Sequence, residues 1–226
     1  MKNKLKLLKG ALHASHFGPT VLVTTISLLL SIYYGFHWKS LLVALSILTG
    51  QLIVGWTNDI HDFEDDLKHN RLNKPLVNGE ITKKELFNLI FAFLPITLLI
   101  SIFGPLGYVG GSIAFLGILV AISYNFYFKF NFLSPLPYVV CFGALPLAIS
   151  IGVDKKISIY GILSGALFGL GAHFLNVLKD LFEDRSSGIK GLPQLVGSKN
   201  SKLVAFLSIL IGFVMFILFI SGGNNT

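Results

Sequence analysis

Apolar residues along this chain neither alternate nor keep to one helical face. They run almost unbroken for about 20 positions at a time, and the polar residues gather between the runs. At 1.5 Å of rise per residue, such a run crosses a hydrocarbon layer about 30 Å thick. Seven runs predict seven transmembrane helices, near residues 17–35, 40–57, 84–103, 108–128, 135–151, 157–178 and 202–221. Two of the intervening segments, 58–83 and 179–201, are long and hold most of the polar residues. Long connections in a compact domain are usually functional or disordered, and these two are too motif-like for disorder.

Composition excludes a soluble domain: 53% of the 226 residues are hydrophobic, 13% are charged and the mean hydropathy is +0.73. The expected fold class is an all-α integral membrane bundle of about seven helices around a central cavity, a single domain over 1–226. The formal charge of +7 does not imply nucleic acid, because the 18 Lys and Arg lie in short segments between apolar runs. With the N-terminus cytoplasmic, only Lys39, Lys155 and Lys156 fall on the outer side. That asymmetry predicts a multi-pass plasma or inner membrane protein with both long polar segments inside. No cleavable signal peptide is evident in M-K-N-K-L-K-L-L-K-G and the run after it. The single Cys141 allows no internal disulfide and no cysteine metal site.

Acidic residues change the picture. Asp59, Asp62, Glu64, Asp65, Asp66, Asp180, Glu183 and Asp184 account for eight of the 11 in the chain. Each cluster starts where an apolar run ends, and each contains Asn-x3-Asp-x3-Asp: Asn58, Asp62, Asp66 and, 118 positions later, Asn176, Asp180, Asp184. A spacing of four places successive oxygens on one helical face, about 6 Å apart. Carboxylates crowded near a membrane interface repel, and a divalent cation removes the repulsion. Oxygen ligands without Cys favour Mg2+, which completes its shell with water and substrate phosphate. A polar signature repeated in a membrane protein is expected to serve one central cavity, where the two clusters would bind a diphosphate between them. Arg71 and Lys74 follow the first cluster, Lys129 ends the fourth run, and Arg185 and Lys190 follow the second. Cations so placed suit a departing diphosphate.

N-D-I-H-D-F-E-D-D with R-L-N-K-P-L-V-N-G, S-Y-N-F-Y-F-K-F, and D-L-F-E-D-R-S-S-G-I-K-G-L-P-Q-L-V-G together resemble the UbiA-type superfamily of intramembrane prenyltransferases. The resemblance implies a transferase that binds a polyprenyl diphosphate through Mg2+ and moves its chain onto a lipophilic or aromatic acceptor within membrane lipid. It implies that Asn58, Asp62, Asp66, Asn176, Asp180 and Asp184 ligate metal directly or through water, and that Arg71, Lys74 and Lys129 hold the diphosphate. It also implies that Tyr124 or Tyr127 lies near the reacting carbon, where an electron-rich ring stabilises an allylic cation. Two departures stand out. The family commonly has nine membrane helices against the seven read here, so either the last helical pair is missing or the sequence is incomplete. Where many relatives carry an arginine for an acceptor carboxylate, this chain reads H-A-S-H-F-G-P-T, with His16 as a possible acceptor contact. Gly161, Gly165, Gly169 and Gly171 before the second motif suggest close helix packing. The competing expectations are a transporter of a cation or phosphorylated solute, a CDP-alcohol phosphotransferase, against which the missing D-G-x2-A-R weighs, and an inactive truncated homologue.

Overall fold

The computed structural model describes residues 2–186 and 188–222, except the side chains of Lys2, Asn3, Phe182, Glu183 and Arg185. Eight helices make up the described chain: α1 (Lys2–Ala14), α2 (Phe17–Tyr33), α3 (Ser40–Lys68), α4 (Lys83–Phe103), α5 (Gly107–Phe126), α6 (Leu136–Gly152), α7 (Ile159–Ser186) and α8 (Leu192–Gly222). Five of them, α3, α4, α5, α7 and α8, are long and apolar enough to cross a membrane alone, and α6 is a shorter apolar helix of 17 residues. Helices α2 to α8 correspond to the seven runs in the sequence. Leucines and phenylalanines on their outer faces, such as Leu29, Phe91 and Phe206, stay exposed, as side chains facing lipid do. The chain is therefore a multi-pass helical membrane protein.

Helix α1 is the additional element. Its Leu5, Leu8 and Leu12 share one exposed face, and it meets α2 at a bend of 74°. The bend falls at His16, whose φ of 52° ends one helix and starts the next. Pro19 then stands in the first turn of α2, where a missing N–H costs no hydrogen bond.

The chain divides into two compact units, one through Ile118 and one from Leu119. In the first, α3 packs against α1, α2 and α4. Trp56 Nε1 donates to the Ala11 carbonyl at 2.8 Å, and Ser46 and Ser101 join α3 to α4 at 2.7 Å. In the second, α7 packs against α6 and α8. The glycines of α7 do what their spacing suggests. A Cβ on Gly165 or Gly169 would collide with the carbonyls of Phe142 and Tyr138 on α6, and one on Gly171 would lie 2.7 Å from Ile209 of α8.

The same displacement of 118 positions that relates the motifs relates the units to each other in sequence. It carries α2 onto α6, α3 onto α7 and α4 onto the main part of α8. The details repeat as well: Pro75 maps to Pro193, and Gly79, with φ 76°, maps to Gly197, with φ 83°, where α8 is kinked.

Overpacking of this kind costs about 1–3 kcal/mol. Gly169→Ala is expected to lower stability by that amount in detergent unfolding, whereas Gly117→Ala, which meets nothing within 4 Å, leaves it unchanged or slightly raised.

Candidate diphosphate and metal site

Both acidic motifs lie on helix, not loop. The pattern of apolar runs places helix ends at residues 57 and 178, but α3 continues to Lys68 and α7 to Ser186. Neither extension contains Gly or Pro, and each stops at a residue in the left-handed region, Asn70 (φ 51°) and Gly188 (φ 78°). After each, an amide reaches back to the third residue of its motif: Arg71 N–H to the Asp66 carbonyl at 3.0 Å, and Ile189 N–H to the Asp184 carbonyl at 3.0 Å. This is the six-to-one bond of a Schellman end. It turns the chain so that the residues after the motif fold back beside it.

In the first unit that return carries Arg71 and Lys74. Arg71 Nη1 donates to Asp66 Oδ1 at 2.8 Å and Nη2 lies 3.7 Å from Asp65. Lys74 Nζ donates to Asp59 Oδ1 at 3.1 Å and lies 3.8 Å from Asp66 Oδ2. Asp59 and Asp66 are almost fully buried, at 2% and 1% exposure. Burial pulls the Lys74 ammonium down, but Asp59, Asp66 and Asp62 together outweigh it and hold its pKa above the usual lysine value. Asn58 Nδ2 donates to Asp62 Oδ2 at 3.2 Å, and His61 Nδ1 lies 3.0 Å from Asp62 Oδ1. His16 Nε2 lies 3.1 Å from Asp59 Oδ1. Asp59 is the member the Asn-x3-Asp-x3-Asp pattern leaves out, and its burial next to Asn58 is the feature no spacing rule reveals.

The second unit also ties its motif to neighbouring side chains. Asn176 bonds the Tyr138 hydroxyl, and Gln194 Nε2 donates to Asp184 Oδ2 at 2.8 Å. Asp180 is exposed. Tyr124 packs edge-on against Tyr138 at 5.4 Å and against His173 at 5.7 Å. Tyr127 is 63% exposed and meets neighbouring Phe128 edge-on, so of the two tyrosines the resemblance offered, Tyr124 is the one beside the second motif's helix. Tyr138 and His173 are functional candidates the sequence did not single out. Lys129 is half-buried, with its ammonium 5.5 Å from the Phe130 ring. Lys190 is exposed, and the Arg185 side chain lies outside the described residues.

The donor set suits a hard cation. Asn and Asp oxygens dominate both motifs, and buried Asp59 Oδ2 has no hydrogen-bond partner among the described residues. No three His, Cys, Asp or Glu side chains form a closed metal cage among those residues.

Removing one partner of a buried ion pair costs about 3–5 kcal/mol. Lys74→Met is expected to destabilise the protein by about 3 kcal/mol, and Asp59→Asn in that background to restore part of the loss. Because the folded pKa of Lys74 is raised, its contribution is fully present below the unfolded lysine value, about 10.4, and is lost only as pH rises through the folded value. Unfolding curves of wild type and Lys74→Met should therefore keep a constant gap from pH 7 to about 10 and converge above it.

Comparison with known proteins bears on the fold and the family. A digeranylgeranylglyceryl phosphate synthase of Pyrococcus horikoshii is 29% identical over 187 residues, which are 78% of this chain and 65% of that protein's length. The apo structure of a UbiA homolog from Aeropyrum pernix is similar with a TM-score of 0.70 at 18% identity, covering 100% of this chain and 82% of its own. A UbiA homolog from Archaeoglobus fulgidus bound to GPP and Mg2+ is similar with a TM-score of 0.68 at 19% identity, covering 92% and 77%. At such identities the structural likeness shows the fold. The match to the family itself is broader, running from residue 20 to residue 226, and the chain belongs to the UbiA prenyltransferase family.

Proposed function

We propose that this protein transfers an isoprenyl group from a prenyl diphosphate to a lipophilic acceptor in the membrane, with Mg2+ as cofactor. The observation that carries the reading is the doubled motif: two Asn-x3-Asp-x3-Asp faces on helix extensions, the first with Arg71 and Lys74 turned back onto it. Asn58, Asp62, Asp66, Asn176, Asp180 and Asp184 would hold the metal, which neutralises the diphosphate and draws charge from the carbon–oxygen bond that breaks. Lys74 has three N–H donors and Arg71 five, so both can offer donors to the departing diphosphate as well as to the carboxylates. Tyr124 and Tyr138 would present aromatic surface to the allylic carbon as positive charge develops there. Water must be kept from that carbon, which a helical bundle in lipid favours. The positive-inside distribution of Lys and Arg supports an orientation with the N-terminus and both motifs cytoplasmic.

The acceptor reading follows the Pyrococcus relative, whose name describes a product with its prenyl groups on a glyceryl phosphate. A prenylglyceryl phosphate is the first acceptor to test, and the aromatic ring expected from the wider resemblance is the second. Transport of a cation or phosphorylated solute is disfavoured because the acids gather at the helix ends, with almost none at mid-helix to mark a path across.

Membranes containing the protein, incubated with Mg2+, a labelled prenyl diphosphate and each acceptor, are expected to yield a lipid-soluble product identifiable by mass. Asp62→Ala and Asp180→Ala should each lower turnover at least about 100-fold while still inserting and folding. Near-normal turnover in either variant refutes the assignment, and solute flux without product favours transport.

A further inference from the structure

His173 has no part in the chemistry above, yet its side chain is wholly enclosed on α7, three residues before Asn176. Its Nε2 lies 3.1 Å from Ser134 Oγ, and the same oxygen accepts the Leu192 amide N–H at 2.9 Å. Ser134 has one proton to give. The Leu192 amide occupies one of the two Oγ lone pairs, so in the bond between Ser134 and His173 Nε2 either group can be the donor, according to the imidazole tautomer. Nδ1 has no hydrogen-bond partner among the described residues. The ring instead lies against Tyr138 at 4.9 Å and Tyr124 at 5.7 Å. A buried ring nitrogen without a polar partner carries a desolvation cost in either tautomer, so stability alone gives no reason to keep a histidine there.

What the residue does have is connections to both ends of the second motif. Tyr138, on which it packs, bonds Asn176. Ser134 grips the first amide of α8, next to Gly191. A Cβ at Gly191 would come within 2.6 Å of Gln194 Oε1, 3.0 Å of Ser134 Oγ and 3.1 Å of the Lys129 carbonyl, and Gln194 in turn holds Asp184. The first unit has a counterpart. The residue 118 positions before Ser134 is His16, at the break before α2, and it reaches Asp59 beside Asn58. In each unit a residue just ahead of the first packed helix, His16 before α2 and Ser134 two positions before α6, is fastened to the motif helix, by different side chains.

We propose that Ser134 and His173 are positioning residues for the second motif: they lock the start of α8 and the Tyr124–Tyr138 pair onto α7, so that Asn176 and Asp184 keep the orientation a cation-bound diphosphate needs. The consequence for diphosphate binding rests on the prenyl-transfer reading, whereas the lock itself does not. Outer partners of this kind typically change metal affinity 10- to 100-fold.

The test uses the full chain in detergent, with His173→Phe, His173→Gln and Ser134→Ala. Two quantities are read: the Mg2+ concentration that half-saturates GPP binding, and amide hydrogen exchange over residues 188–196. His173→Phe should raise the Mg2+ requirement about tenfold or more and speed exchange in that segment. His173→Gln, whose amide oxygen can accept from Ser134, should restore both toward wild type. Unchanged Mg2+ dependence together with unchanged exchange overturns the proposal, as does a loss of folded protein that leaves the Mg2+ requirement of the remainder unaltered. If His173→Phe does not fold, Ser134→Ala is read by the same criteria. If the wild type binds no GPP at any Mg2+ concentration, the prenyl-transfer reading fails and the exchange comparison alone decides whether the lock exists.

Discussion

Lys74 reaches Asp59 at 3.1 Å and Asp66 at 3.8 Å, and much of the first unit is arranged to make that possible. Two nearly buried carboxylates at the end of an apolar helix are untenable unless a cation is brought to them. Asn70 in the left-handed region stops α3 one residue after His69, the Arg71 amide closes the helix end, and the next three residues deliver the ammonium. His16 reaches the same Asp59 oxygen from the break between α1 and α2, while Trp56 pins α1 through the Ala11 carbonyl. Backbone geometry, charge pairing and the placement of the additional helix therefore converge on one side of α3.

The second unit solves the related problem without that ammonium. Position by position, Leu192 stands where Lys74 does, and it contributes a backbone N–H to Ser134 in place of a charge. Gln194 and Tyr138 supply neutral hydrogen bonds to Asp184 and Asn176. The two copies of one helical plan thus differ in electrostatics. The first offers acids already matched by Arg71 and Lys74, and the second offers Asp180 exposed at the surface of α7. On the proposed function, Arg71 and Lys74 are the cations that the first motif offers to the diphosphate, and Asp180 is a carboxylate that would meet a metal.

Much of this was legible before any coordinates. Runs of about 20 apolar residues located helices α2 to α8, five of which are by themselves long and apolar enough to cross a membrane, because length and hydropathy decide what fits a bilayer. The doubled Asn-x3-Asp-x3-Asp spacing located the candidate site, and the glycines of α7 marked its tight packing against α6 and α8. Helix ends were misplaced because hydropathy reports where lipid stops, not where hydrogen bonding stops. Residues 58–68 and 179–186 are polar but contain nothing that breaks a helix. Helix α1 escaped notice because its leucines are too few to form a run and show only as a face. Asp59, Tyr138, Ser134 and His173 were not identifiable as site residues, since their roles come from partners 15 to 58 positions distant or from burial, which spacing within one segment does not encode.

The most direct measurement is equilibrium binding of a prenyl diphosphate to the purified protein as Mg2+ is titrated, in wild type and with Asp62 or Asp180 replaced by Ala. The account requires binding to depend on the divalent ion and to be lost with either carboxylate. Tight binding in the presence of chelator, or full affinity after removal of either residue, would contradict it.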